Sequence, residues 1–169
     1  MSVQLLALAV GLLGAAGAPK DEAVAQDTKS MQGTWVVTSA TTKGQGIAVA
    51  GAKDGDVGDV GDGLGTMTFT GEKWTFKLRL PAGGLGGVKQ EEGGGTFTVN
   101  PSTKPKRIEV RSGGKVVRRG VYSLDGDQLR IRLSRASDKQ PEYPQALEPE
   151  STDAGVVLGL VRRAKKDKQ

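Results

Sequence analysis

Strict alternation of apolar and polar side chains is the feature of this sequence that most restricts its fold. Across residues 73–80 every second side chain is apolar, and those between are threonine, lysine or arginine. Residues 107–111 and 128–133 alternate in the same way. Because successive side chains of a β-strand point to opposite faces, this period predicts strands with one buried and one solvated face. After Gly33 no helical period returns, so the chain is predicted to be mostly β.

Eight segments have the character of strands, and short turns rich in glycine join several of them. The predicted strands are residues 34–42, 64–70, 73–80, 96–100, 106–112, 115–124, 128–134 and 156–163. The turns Gly71-Glu72, Gly113-Gly114 and Asp125-Gly126-Asp127 indicate hairpins, whose strands are usually neighbours in a sheet. The predicted fold is therefore an antiparallel up-and-down barrel of about eight strands, since closure removes the exposed edges. A two-sheet sandwich is the alternative.

The two ends of the chain differ from this β region. Residues 5–13 read LLALAVGLL and precede small residues, which is typical of a signal peptide and too short to span a bilayer core of about 30 Å comfortably. Residues 1–18 are predicted to be cleaved, leaving an exported, periplasmic or extracellular protein without a stable membrane anchor. Residues 19–32 are predicted to be a polar linker with one short helical turn, capped by Asp27 or Thr28 and ended by Gly33. The barrel domain is then residues 33–163, followed by a basic tail, residues 164–169.

Cysteine and histidine are both absent from the sequence. Their absence removes thiol nucleophiles, the Ser-His-Asp triad and the commonest ligands of transition metals. The chain is therefore predicted not to be an enzyme, to have no catalytic residues and to need no cofactor. A hydrolase that uses paired carboxylates is a further alternative. Its candidate residues are Glu91, Glu92, Glu142, Glu148 and Glu150.

An acidic, glycine-rich stretch at residues 51–63 raises the question of a calcium site. Its carboxylates are Asp54, Asp56, Asp59 and Asp62. Their spacing lacks the glutamate that an EF-hand places at its twelfth position, and the repeat of a calcium β-roll is also missing. The sequence therefore predicts a solvated loop and no metal site.

The net charge is +5, with an isoelectric point of about 9.5, and many cations fall on strands that hairpins make neighbours. They are Lys104, Lys106, Arg107, Arg111, Arg118, Arg119, Arg130, Arg132 and Arg135. Nucleic-acid binding usually adds exposed aromatic side chains for stacking, and this chain has only seven aromatic residues. No nucleic-acid partner is predicted. The cations are interpreted as a solvated outer face, and an anionic cell-envelope polymer remains a possible partner.

Apolar side chains on the predicted inward face form the candidate ligand site. They are Trp74, Phe76, Leu78, Phe97 and Tyr122. In a small barrel such residues either fill the core or line a cavity. The first functional hypothesis is a non-enzymatic barrel that binds a small apolar or amphipathic ligand. The alternative is a structural or interaction module of the cell envelope with a fully packed barrel.

Several phrases resemble a family of small domains common in planctomycete bacteria. MQGTWVVTSA is similar to its opening Leu-Gln-Gly-Thr-Trp phrase, NPSTKPKRIEV to its middle segment and GVYSLDGDQLRIRL to its characteristic hairpin. The apolar strand ending in Arg162 and Arg163 matches its close, so the resemblance covers about residues 29–163. The insertion at 51–63 and the missing cysteine after the seventh strand depart from the family. The resemblance implies a lipocalin-like fold and no assigned activity.

The lipocalin-like character implies a role for three residues. In lipocalins a Gly-x-Trp phrase opens the first strand, the tryptophan closes one barrel end, and an arginine of the last strand often lies across it. Gly33, Trp35 and Arg162 are similar in kind and position. A guanidinium over an indole gains about 0.5–2 kcal/mol. These residues are therefore expected to close the barrel.

Overall fold

The computed structural model of the protein describes residues 19–42, 45–48, 63–82, 87–134, 142–148 and 155–163. The predicted signal peptide, the four aspartates of the acidic stretch and the basic tail lie outside these residues. Arg135 and Glu150 also lie outside them. Within the described part, one helix precedes nine strands. They are α1 (Pro19–Met31), β1 (Gly33–Thr42), β2 (Gln45–Ala48), β3 (Gly65–Thr70), β4 (Lys73–Ala82), β5 (Gly87–Asn100), β6 (Lys106–Ser112), β7 (Lys115–Asp125), β8 (Gln128–Leu133) and β9 (Val156–Arg162).

Strands β1 and β3–β9 form a closed antiparallel barrel of eight strands. Each of these strands pairs with the next, and β9 pairs back onto β1, which closes the sheet. The predicted up-and-down barrel is confirmed, and the sandwich alternative is wrong. The remaining strand, β2, is not part of this closed set. It pairs with the second half of β1, beyond the four residues of β1 that pair with β3.

The fourth predicted strand is much longer than expected. Residues 81–94 fall between the third and fourth predicted strands, and they contain glycine, glutamate and lysine, which are poor strand formers. Instead β4 runs to Ala82, and β5 begins at Gly87 and pairs with β4 along its length. The glycines serve close packing: a Cβ on Gly95 would lie 1.9 Å from the carbonyl oxygen of Arg111. Strand propensity is therefore a poor guide to these residues, because packing in the sheet requires small side chains there.

The sequence also missed β2 and underestimated α1. Strand β2 has only four residues and includes a glycine, too short to show an alternating pattern. The predicted short helix at the N-terminal side of the barrel is confirmed, but with 13 residues it is longer than the single turn expected. Acidic residues lie in its first turn and Lys29 in its last, which complements the helix dipole. Asp27 lies inside the helix and does not cap it.

The barrel interior is filled by inward-facing apolar side chains from all eight strands together with Met31 of α1. The buried cluster consists of Met31, Trp35, Val37, Met67, Phe69, Trp74, Phe97, Val99, Ile108, Val110, Tyr122, Leu129, Ile131, Leu133, Leu158 and Leu160. Helix α1 lies at the end where β1 begins and β9 ends, next to the β3–β4 turn. The helix therefore closes one end of the barrel.

Candidate functional site

The five residues predicted to line a ligand site do not surround one open cavity. Trp74 and Phe97 border a central void of about 10 Å³, which is at the lower limit of the space that one water molecule needs, about 10–15 Å³. Phe76 stacks on Trp74 with ring centroids 5.3 Å apart. Leu78 is only partly buried, and Tyr122 lies at the end closed by the helix. As far as the described side chains go, the interior is packed.

Trp35 is the centre of the helix-closed end and is completely buried. Its Nε1 donates a 2.8 Å hydrogen bond to the carbonyl oxygen of Met31. The guanidinium of Arg162 lies over the indole, 4.3 Å from the ring centroid. The backbone of Gly33 has φ of 114°, and a Cβ there would lie 3.4 Å from Nη1 of Arg162. The structure thus brings together the three residues expected at the barrel end.

Arg162 also fixes α1 to the barrel. Its Nη1 donates to the carbonyl of Gln32 at 2.6 Å, and its Nη2 donates to that of Ser30 at 2.5 Å. Its Nε donates to Asp127 at 2.6 Å. One guanidinium therefore joins the last strand, the end of the helix, the β7–β8 turn and the indole of Trp35.

A second polar contact at this end involves Asp27, whose role the sequence did not indicate. The hydroxyl of Tyr122 donates to the Asp27 carboxylate at 2.6 Å, and Nζ of Lys106 lies 2.9 Å from the same oxygen. Burial raises the pKa of Tyr122, and the hydrogen bond to Asp27 and its negative charge raise it further. Tyr122 therefore keeps its proton and acts as a neutral donor that holds the helix.

The nine cations assigned to the outer face in the sequence, which we term the basic stripe, mostly form contacts within the protein where the structure describes them. Lys106 pairs with Asp27, while Arg111 and Arg119 both lie 3.1 Å from Glu109. Arg130 pairs with Glu148 at 2.8 Å, and Nη1 of Arg118 donates to the carbonyl of Ser134. The side chains of Lys106, Arg111, Arg119 and Arg130 are still 35–48% exposed, so the predicted solvated outer face is present but its charge is mostly paired. Lys104, on the loop before β6, is exposed, as are Arg107 and Arg130.

Residues 142–148, which we term the strap, cover part of this outer face. Nη1 of Arg132 donates to the carbonyls of Ala146 and Glu148, both at 2.6 Å. Only 4% of Arg132 is exposed, although alternation along β8 predicted that it faces solvent. Period-two reasoning identifies the outward face of a strand, but it cannot show that a distant loop covers that face.

Tyr143 anchors the strap above the cations of β6 and β7. Its ring centroid lies 4.6 Å from the guanidinium of Arg107 and 5.3 Å from that of Arg119. Its hydroxyl donates to Glu109 at 2.8 Å. Burial favours a raised pKa for Glu109, but hydrogen bonds from Tyr143, Arg111 and Arg119 together lower it below the usual 4.5. The sequence signal for this role is an aromatic residue next to prolines in an otherwise polar loop.

Ionisation of Tyr143 makes the free energy of unfolding depend on pH in the alkaline range. Burial raises its pKa to about 12, with further contributions from the hydrogen bond to Glu109 and its charge. In the unfolded chain the phenol loses its proton near pH 10, so its stabilising effect is complete below pH 10 and is lost as pH rises to about 12. We expect the free energy of unfolding, measured by urea titration, to fall more steeply over this range in the wild type than in Tyr143→Phe. Equal slopes would contradict this account.

The proposed pair Glu91 and Glu92 does not converge on one face of the sheet. Glu91 and Glu92 are consecutive in β5, opposite Leu78 and Lys77 respectively, and therefore point to opposite faces. Glu148 of the strap is paired with Arg130. The described residues also contain no group of three or more potential metal ligands. Within the same residues, no helix has the length and apolar character needed to cross a membrane.

Comparisons of the chain with protein-family models, with curated proteins and with solved structures found no match. The resemblance to the planctomycete family stays a prediction from sequence phrases. The site must therefore be interpreted from its geometry alone.

Proposed function

We propose that the protein is an exported, non-enzymatic barrel module of the cell envelope that acts through its outer surface. The observation that carries this proposal is the central void of about 10 Å³. Pockets for small ligands usually enclose about 300–1,000 Å³. The export part of the proposal rests on the signal-peptide pattern of residues 1–18. The barrel then serves as a rigid support for surface groups.

Binding of a small apolar ligand inside the barrel is the competing function. It would require Trp74, Phe76 and Phe97 to move apart, because Trp74 and Phe76 are stacked and Phe97 packs edge-on against Phe69 at 5.0 Å. The end next to Trp35 is also closed by α1 and Arg162. These contacts favour the packed module over the binding protein.

Titration with the apolar fluorophore N-phenyl-1-naphthylamine tests the proposal. We expect no saturable increase in fluorescence with the wild-type protein, because the described interior has no space for a naphthalene ring. Saturable one-to-one binding at micromolar concentration, weakened by Trp74→Ala, would show that the interior opens and would favour the ligand-binding function.

A further inference from the structure

The outer face of β3–β5 carries a row of cations that are separate from the basic stripe of β6–β8. Lys73, Lys77 and Arg79 occupy outward positions of β4, on the face opposite Trp74, Phe76 and Leu78. All three are exposed. At about 3.4 Å per residue, the row from Lys73 to Arg79 is about 20 Å long. We refer to the outward positions of β3, β4 and β5 as the β4 face.

These three cations differ from those of the predicted basic stripe. In the described part of the chain, none of Lys73, Lys77 and Arg79 forms an ion pair, whereas the stripe is neutralised by Asp27, Glu109 and Glu148. Glu92, opposite Lys77, is the single carboxylate among the described outward positions of the three strands. The β4 face is thus an exposed positive surface whose charge is largely uncompensated.

The remaining outward groups of the β4 face are mainly neutral hydrogen-bonding side chains. They are Thr66, Thr68, Thr70, Thr75, Gln90, Thr96, Thr98 and Asn100. All seven aromatic residues of the chain are described, and none is on this face: six contribute to the interior and Tyr143 belongs to the strap. The surface therefore offers cations and hydroxyls and has no aromatic platform for stacking bases.

A cleft of about 540 Å³ accompanies this row. It is lined by three cations, two carboxylates and four other residues, namely Lys77, Arg79, Arg163, Glu91, Glu92, Gly65, Thr66, Leu78 and Gln90. Strand β4 extends beyond β3 here, because Gly65, the first residue of β3, pairs with Leu78. The β4–β5 hairpin therefore extends past the end of β3. This extension gives the β4 face a concave part that presents both cations and hydrogen-bonding groups.

We propose that the β4 face binds an extended acidic polysaccharide. Cations spaced about 14 Å and about 7 Å apart along one strand fit a chain with repeated anionic groups. The threonine hydroxyls and the Gln90 amide fit sugar hydroxyls. The missing aromatic platform disfavours single-stranded nucleic acid. This inference rests on the proposed function, because it assigns the outer surface through which the packed barrel acts.

The test compares two double variants that remove the same charge. Lys77→Gln with Arg79→Gln changes the β4 face, while Lys104→Gln with Lys115→Gln removes two exposed cations elsewhere. The probes are polygalacturonate with a carboxylate on each sugar, dextran sulfate with sulfates, neutral dextran and single-stranded DNA. Affinity is measured by biolayer interferometry on proteins whose melting temperatures match the wild type.

We expect both acidic polysaccharides to bind the wild type and neutral dextran not to bind. The Lys77/Arg79 variant should bind about tenfold more weakly, since two exposed ionic contacts contribute together about 1.4 kcal/mol. The Lys104/Lys115 variant should change the affinity less than about twofold. The relative affinities for polygalacturonate and dextran sulfate then identify whether carboxylate or sulfate is preferred.

Equal weakening by the two variants would overturn the assignment, because only net charge would then matter. Tighter binding of single-stranded DNA, binding of neutral dextran, or no polysaccharide binding at all would also overturn it. None of these results would support a ligand site inside the barrel, whereas saturable binding of N-phenyl-1-naphthylamine would support one. The failure of this inference is therefore distinguishable from the failure of the proposed function.

Discussion

Replacement of Trp35 by alanine is expected to lower the free energy of unfolding by about 3–5 kcal/mol. The side chain is completely buried, so its loss leaves a cavity that the closed barrel can fill only in part. The variant also loses the hydrogen bond to Met31 and the contact with the Arg162 guanidinium. The destabilisation should be measured by urea unfolding followed by circular dichroism, since tryptophan fluorescence itself changes in the variant.

Two phenylalanine variants separate packing from hydrogen bonding in this prediction. Trp35→Phe keeps much of the ring volume but leaves the Met31 carbonyl without its indole donor, and should cost about 1–3 kcal/mol. Trp74→Phe is the matched control, because the Nε1 of Trp74 has no hydrogen-bond partner among the described residues. It should cost less than Trp35→Phe. A loss below about 1 kcal/mol for Trp35→Ala would mean that Trp35 does not hold the barrel end.

Local sequence predicted the barrel wall well wherever alternation was strong. Residues 73–80 and 128–133 lie in β4 and β8 as expected, with inward and outward faces in the predicted sense. The predicted extent of β5 was wrong because its glycines and charged residues resemble a loop. Its conformation depends on the long ladder that it forms with β4. Such a strand is fixed by its neighbour, and a single-sequence period cannot show that.

The polar contacts were less predictable than the strands, because they join distant parts of the chain. Asp27 has the sequence character of a helix cap, yet its carboxylate accepts from Tyr122, 95 residues away. Glu109 was one outward residue among many arginines, and its importance depends on Tyr143 of the strap. Cations that are close in sequence therefore indicate a common face of the sheet. Whether their charge is neutralised depends on partners elsewhere in the chain. The β4 face stands out only after those partners are known.

Phe97→Ala is the second substitution with a large expected effect, and it tests whether the barrel interior is a solid core. Phe97 is 2% exposed, borders the central void and packs edge-on against Phe69. Its truncation should lower the free energy of unfolding by about 3–5 kcal/mol, as truncation of buried phenylalanine usually does. The lining of the new cavity is apolar, because Ile108, Val110 and Ile131 also border the void.

Benzene then distinguishes a packed barrel from one that already holds space for a ligand. Engineered apolar cavities of about 150 Å³ bind benzene, and a ligand that binds only the native state stabilises it. Benzene should therefore raise the melting temperature of Phe97→Ala and leave that of the wild type unchanged. Phe97→Leu, which keeps most of the volume, should be destabilised by less than about 1.5 kcal/mol and should respond little to benzene. If the wild type responds as strongly as Phe97→Ala, the interior already contains a usable cavity. The barrel would then act through its interior, because a ligand could enter without any side chain being removed.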